Sequence, residues 1–206
     1  MTRNATLRDH VAAAILDAAA VVLAQRGESV SMSEVAAAAG VGRTTLYRYF
    51  PSRETLLDAL ARRAFAELIG ELADSGVDSV PVPEGVARVS RIAFGQAAKY
   101  QALMCVPGKP EISDEAVRQI MSPLTSLFSR GAADGTWRTD LSTGTLLAIY
   151  TALLEGALSQ GLHTKLGAEP AAAAITSVFI RGTEVRRPAD SGAATAPSAA
   201  PAPTRN

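Results

Sequence analysis

From Arg43 to Arg53 the chain carries three arginines, two threonines and two tyrosines in eleven residues without a single acid. Guanidinium forks match phosphate oxygens and the acceptor edges of bases, and hydroxyls add short hydrogen bonds to the same groups. The stretch has the chemistry to hold a polyanion and to read it. On a helix, Arg43, Thr44 and Tyr47 share an outward arc while Leu46 and Phe50 turn inward. A cluster of cations is often just a solvated face. Two tyrosines among these arginines, in a chain with nine Phe plus Tyr residues and one Trp, point to a partner instead.

Such a face needs a rigid mount, and the flanking residues predict one. Ser31-Met32-Ser33-Glu34 reads as a capping box, in which hydroxyl and carboxylate reciprocally satisfy free backbone amides at the start of a short helix. Gly40 stops that helix, a third runs from Arg43 to Phe50 ahead of Pro51, and Ser52 caps a long one reaching about Ala73. Ala36 is small where two helices would cross, Gly40 tolerates positive φ, and Val35, Val41, Leu46 and Tyr49 pin one helix on the other. This is a helix-turn-helix pattern; an ordinary helical hairpin inside a core is the alternative. Upstream, Leu7, Val11, Ala14, Ile15, Ala18 and Val22 form an apolar stripe with Asp9, Asp17 and Gln25 off it, capped near Thr6 and Asp9 and ended by Gly27. The first 75 residues therefore read as four helices.

Helical spacing continues downstream, with no alternating strand pattern. Pro81 and Pro83 mark a linker, Glu84 to about Met104 is a helix, and Ser113 opens another that Pro123 is expected to kink or split. After a turn at Gly135 to Arg138, two closing helices are predicted, from Thr143 to Leu166 and from Pro170 to Val185. From Arg186 to Asn206 the chain has seven Ala and four Pro in 21 residues, too little large apolar surface to offset ordering entropy, so a disordered tail is expected. The expected architecture is all-α, with a DNA-reading unit over residues 1–52, a sensing and dimerising unit over 53–185, and the tail.

Composition narrows the function classes. Twenty basic residues balance twenty acidic ones, so any attraction to an anionic partner is local; residues 1–64 hold eight Arg against six acids. Cys105 is the single cysteine, which excludes an internal disulfide, and no apolar run is long enough to span a membrane. A cytoplasmic protein is expected. His10 and His163 lie far from each other and from Cys105, so no metal set or nucleophile and base pair forms by proximity, and no phosphate-cradling glycine loop occurs. Neither metal nor cofactor is expected, and no catalytic residues are assigned.

The residues from about 8 to 60 resemble the tetracycline-repressor (TetR) family of transcriptional regulators. The shared pattern is Gly40, the run Thr45-Leu46-Tyr47-Arg48-Tyr49-Phe50, then Pro51-Ser52, Arg53 and Leu56-Leu57. Gly42 stands where a serine or similar cap is usual, Tyr49 where histidine is more common, and Arg53 where lysine is. The resemblance implies that Arg43, Thr44 and Thr45 face base edges and flanking phosphates in the major groove, while Ser33, Tyr47, Tyr49 and Arg53 hold the DNA backbone. Arg3 and Arg8 would add contacts from the N-terminal arm. It further implies a two-fold dimer on a palindromic operator, built by the last two helices as a four-helix bundle, and a cavity for a small apolar effector that releases the DNA.

Two features suit those implications. Ala148, Ala152, Gly156 and Ser159 would admit a partner helix closely, with a second apolar face from Ala172 to Phe179. The larger apolar residues lie between reader and dimer helices, and those implied as cavity wall are Phe65, Leu68, Phe94, Tyr100, Met104, Met121, Leu124, Phe128, Trp137, Tyr150 and Leu154. Read alone, each fits a plain core better than a cavity wall. Two rival functions stay open: a small helical enzyme using Glu155, Gln160 and His163 in that cavity, and a module that binds only proteins.

Overall fold

The computed structural model describes residues 2–100 and 112–183, and these form an all-α architecture. Its helices are α1 (Thr2–Arg26), α2 (Met32–Ala38), α3 (Arg43–Tyr49), α4 (Arg53–Asp74), α5 (Val82–Lys99), α6 (Asp114–Ala133), α7 (Thr143–Ser159), α8 (Leu162–Leu166) and α9 (Ala168–Thr183). Met104, Cys105 and the tail from Arg186 lie outside the described residues, as does the side chain of Arg3.

Local chemistry sets the helix starts. At α2 the Ser31 hydroxyl accepts from the Glu34 amide at 3.3 Å, and the Ser31 amide donates to Glu34 Oε2 at 2.8 Å, so two orphan donors are satisfied at once. At α4 the same reciprocity joins Ser52 and Thr55. Ser113 and Ser142 cap α6 and α7.

Two cores form. The first gathers Ile15, Ala19 and Leu23 of α1, Val35 and Ala36 of α2, Leu46 and Phe50 at α3, and Leu56, Leu57 and Leu60 of α4. The inward stripe of α1 is thus Ile15, Ala19 and Leu23, one step round from the stripe expected, and Ala14 faces solvent. In so alanine-rich a helix several faces are nearly equally apolar, and packing on α2 and α4 selects one.

The second core is aromatic. Phe128 lies 5.3 Å from Trp137, 5.5 Å from Tyr150 and 5.7 Å from Phe179, ring centre to ring centre, with Phe94 buried alongside. Tilted rings at these separations suit the aromatic quadrupole. The polar ends are satisfied: Trp137 Nε1 donates to the Phe128 carbonyl at 3.1 Å, and the Tyr150 hydroxyl is 2.9 Å from Ser90 Oγ. Gly131 makes room for the indole, since a Cβ there would lie 2.3 Å from Trp137 Nε1.

Several helix boundaries differ from expectation. The first helix begins at Thr2, ahead of the cap expected near Thr6 and Asp9, and Pro83, expected in a linker, lies in the first turn of α5, where its missing amide costs no helical bond. Pro123 does not split α6, because Ile120 and Met121 before it and Leu124, Leu127 and Phe128 after it all pack on the same core. The helix expected from Thr143 to Leu166 is broken at Gly161, whose φ of +65° reverses the chain between α7 and α8. The helix expected to reach Met104 has its described end at Lys99.

Candidate nucleic-acid interface and sensor core

The turn between α2 and α3 is closed by two backbone bonds, Val41 N–H to the Ala36 carbonyl at 3.0 Å and Gly40 N–H to the Ala37 carbonyl at 3.1 Å. This is a Schellman closure, and it needs the left-handed φ of +66° at Gly40 that glycine adopts without a steric penalty. It fixes where α3 leaves the domain. Leu46 and Phe50 then enter the core, which forces Arg43, Thr44, Tyr47 and Arg48 outward; Tyr47 keeps 48% of its surface exposed. Thr45, Tyr49 and Ser33 are half-buried at the edges of that face.

Tyr49 is flanked by two cations. The Arg48 guanidinium lies 5.5 Å and that of Arg8 6.0 Å from its ring centre, within cation–π range. The first helix is thereby brought against the arginine-rich face. Arg53, at the start of α4, donates to the Val30 carbonyl and is half-buried, so it ties α4 to the residues ahead of α2 as well as carrying charge.

Arg26 and Glu34 were not singled out by the sequence pattern. They form an exposed ion pair beside the capping box. Hydrogen bonds from Ser31 and the nearby Arg26 hold the Glu34 carboxyl below its usual range. A pair eight residues apart across a glycine turn has no periodic signature in sequence.

The implied cavity-wall residues separate into three groups. Phe94, Leu124, Phe128, Trp137, Tyr150 and Leu154 are buried and packed together in the aromatic core. Phe65, Leu68 and Met121 are half-buried, the last two against the rim of that core. Tyr100 joins neither group, because it is buried in the first core with Ile15 and Leu57. An open groove of about 470 Å³ lies elsewhere, between α5 and α9, with Ala87, Arg91, Ala172, Thr176 and Ile180 among its walls.

His163 is buried on α8, 6.3 Å from the Phe94 ring, and neither ring nitrogen has a hydrogen-bond partner among the described residues; burial pushes its pKa down. No group of acids, His and Cys suited to a metal occurs among the described residues, and no described helix is long and apolar enough to cross a membrane. On the far side of α7, Ala148, Ile149, Ala152, Gly156 and Ser159 are exposed. On α9 the apolar face divides: Ala172, Ile175 and Phe179 turn into the core, and Ala173, Ala174 and Val178 turn out, Val178 being 63% exposed.

Comparison with known proteins agrees with this arrangement. The pattern described as "Bacterial regulatory proteins, tetR family" matches residues 15–60. The HTH-type transcriptional repressor LfrR of Mycolicibacterium smegmatis is 42% identical over 124 residues, covering 56% of this chain and 65% of that protein, just under two thirds of its length. The HTH-type transcriptional repressor KstR2 of Rhodococcus jostii is 27% identical over 138 residues, 62% of this chain and 68% of that one. Among solved structures, the TetR-like regulator LfrR from Mycobacterium smegmatis, in complex with proflavine, superposes with a TM-score of 0.64 at 24% identity, over 84% of this chain and 96% of that one. Residues 15–60 thus carry the pattern of the tetR family of bacterial regulatory proteins, and the chain is similar in sequence to HTH-type repressors and in its all-α fold to a TetR-like regulator.

Proposed function

We propose that the protein is a ligand-responsive repressor that binds a palindromic operator as a homodimer and is released by a small apolar effector. The carrying observation is the outward face of α3, where Arg43, Thr44, Tyr47 and Arg48 are exposed on a helix held by a buried Leu46 and a closed glycine turn. Arg43, Thr44 and Thr45 face base edges and neighbouring phosphates, and Ser33, Tyr47, Tyr49 and Arg53 hold the backbone. One helix of seven residues reads few base pairs, so a second copy is needed, with half-sites about one helical turn apart or a multiple of it. The outward residues of α7 and α9 suit that dimer: small side chains let helices approach, and Ile149 and Val178 supply apolar surface.

The effector is admitted at the half-buried rim where Leu68 and Met121 pack on the aromatic core, since the fully buried rings are already packed on each other. Proflavine, held by the solved mycobacterial relative, is a suitable first probe. Selection from random duplexes should return an inverted repeat, and Arg43→Ala should relax preference at one base pair of each half-site, by about 1–3 kcal/mol. Recovery of fragments without a shared repeat, or binding insensitive to salt, would overturn this reading.

A further inference from the structure

One helix has buried residues in each core, and a second leads from one core into the other. α4 contributes Leu56, Leu57 and Leu60 to the first and Leu72 to the second. The other is α5: Phe94 sits in the aromatic core, and Tyr100, directly after the helix, is buried among the aliphatic residues beneath the recognition helix. A chain of polar contacts runs beside that second crossing. Lys99 Nζ lies 2.5 Å from Glu67 Oε2 and 5.2 Å from the Tyr100 ring centre. The other oxygen of Glu67 accepts from Arg63 Nε at 3.0 Å, and the remaining nitrogens of Arg63 reach α1, at Asp17 Oδ1 (2.6 Å) and the Ala13 carbonyl (3.1 Å). One turn along α4, Glu71 accepts from Gln96 at 2.7 Å.

We infer that Glu67 and Tyr100 are positioning residues through which the sensor unit sets the placement of α1 and, through it, of the recognition helix. The inference rests on the DNA-reading function proposed above and adds the route of its regulation. Glu67 is the branch point, since one carboxylate oxygen holds the end of α5 and the other holds the arginine that grips α1. Burial of Glu67 works against its charge, but hydrogen bonds from Lys99, Tyr100 and Arg63 outweigh it and keep the carboxyl ionised below its ordinary range. Movement of Phe94 in the aromatic core therefore displaces Tyr100 and Lys99 and reaches α1 across one turn of α4, from Glu67 to Arg63. Rigid elements with two ends in two cores are the physical means by which such coupling travels.

The test uses the full chain, a duplex recovered by selection, and amide hydrogen exchange read segment by segment. Coupling is reciprocal, so duplex bound at α3 should slow exchange in α5 of the wild type by about threefold or more. Glu67→Gln should bind the duplex yet lose most of that slowing. Lys99→Met, which cuts only the arm to α5, should do the same, and it serves if Glu67→Gln fails to fold. Arg62→Gln, on the exposed side of α4, should leave it unchanged. Slowing in α5 that is equal in wild type and both joint variants, or absent from wild type with duplex bound, overturns the inference. If the wild type binds no duplex, the DNA-reading function fails first, and the joint is then read in urea. Trp137 fluorescence and exchange in α1 to α3 should report one transition in wild type and two in Lys99→Met; identical behaviour overturns it.

Discussion

The two cores are built from different materials for different tasks. The one under the recognition helix is aliphatic, with Ile15, Leu23, Leu46, Leu57 and Leu60 held by two capping boxes and a closed turn. The one behind it stacks Phe128, Trp137, Tyr150 and Phe179 with Phe94 beside them, and its rim keeps half-buried Leu68 and Met121. In the first, backbone chemistry fixes a small outward face whose contacts lie outside the molecule. In the second, large rings carry the packing, and placement depends on how they fill one another's space. The helix-turn-helix unit is specified by local signals, whereas the aromatic core is specified by tertiary fit.

The largest expected effect tests the second core. Phe128→Ala removes the ring that touches three others and should cost about 3–5 kcal/mol, read as a lower urea midpoint by Trp137 fluorescence; an unchanged midpoint would show that the aromatic stack is not the sensor's keystone. Next comes the turn: Gly40→Val places a branched side chain at φ +66°, a strain of about 1–2 kcal/mol, and should weaken duplex binding while the Trp137 signal stays native. Tyr47→Ala should separate stability from binding most clearly. Its thermal midpoint should move by less than that of Gly40→Val, within about 0.5 kcal/mol, yet duplex affinity should fall about tenfold for all sequences alike.

The smallest effect is a pH dependence at the reader. Glu34 has a folded pKa below its ordinary 4.5, so its contribution to α2 is fully present above that value. It is lost as pH falls through the lower folded value. Exchange of the α2 amides should therefore speed up on acidification below the ordinary carboxylate range in wild type, and Glu34→Gln, which removes the titrating group, should flatten that response. A response of equal size in the variant would remove Glu34 as its source.

How much was legible follows the same division. The Ser31 box, the Gly40 turn, the inward Leu46 and Phe50, and the outward Arg43, Thr44 and Tyr47 are all short-range consequences of residue type and spacing, and the structure has them where the pattern puts them. The stripe on α1 was blurred by alanine, and the break at Gly161 looked like continued helix because its neighbours are good helix formers. In the sensor, residue type flagged Phe94, Phe128, Trp137 and Tyr150 as important without saying whether they line space or fill it. Tyr100 shows the limit most plainly: as an aromatic it was grouped with the others, but its position after α5 carries it into the opposite core. Phe179, grouped with an outward face, turns inward because it lies four residues after Ile175 on the packed side of α9.

The approach of Arg8 and Arg48 to the Tyr49 ring has a practical corollary for anyone handling the protein. It places the Arg8 turn of the first helix beside the arginine-rich surface, so an affinity tag fused ahead of that helix would lie near the face proposed to bind DNA. A polyhistidine leader would crowd an incoming duplex, and an acidic epitope would compete with it for the same guanidinium groups. Removing any such leader before measuring affinities keeps the handle from being mistaken for the molecule.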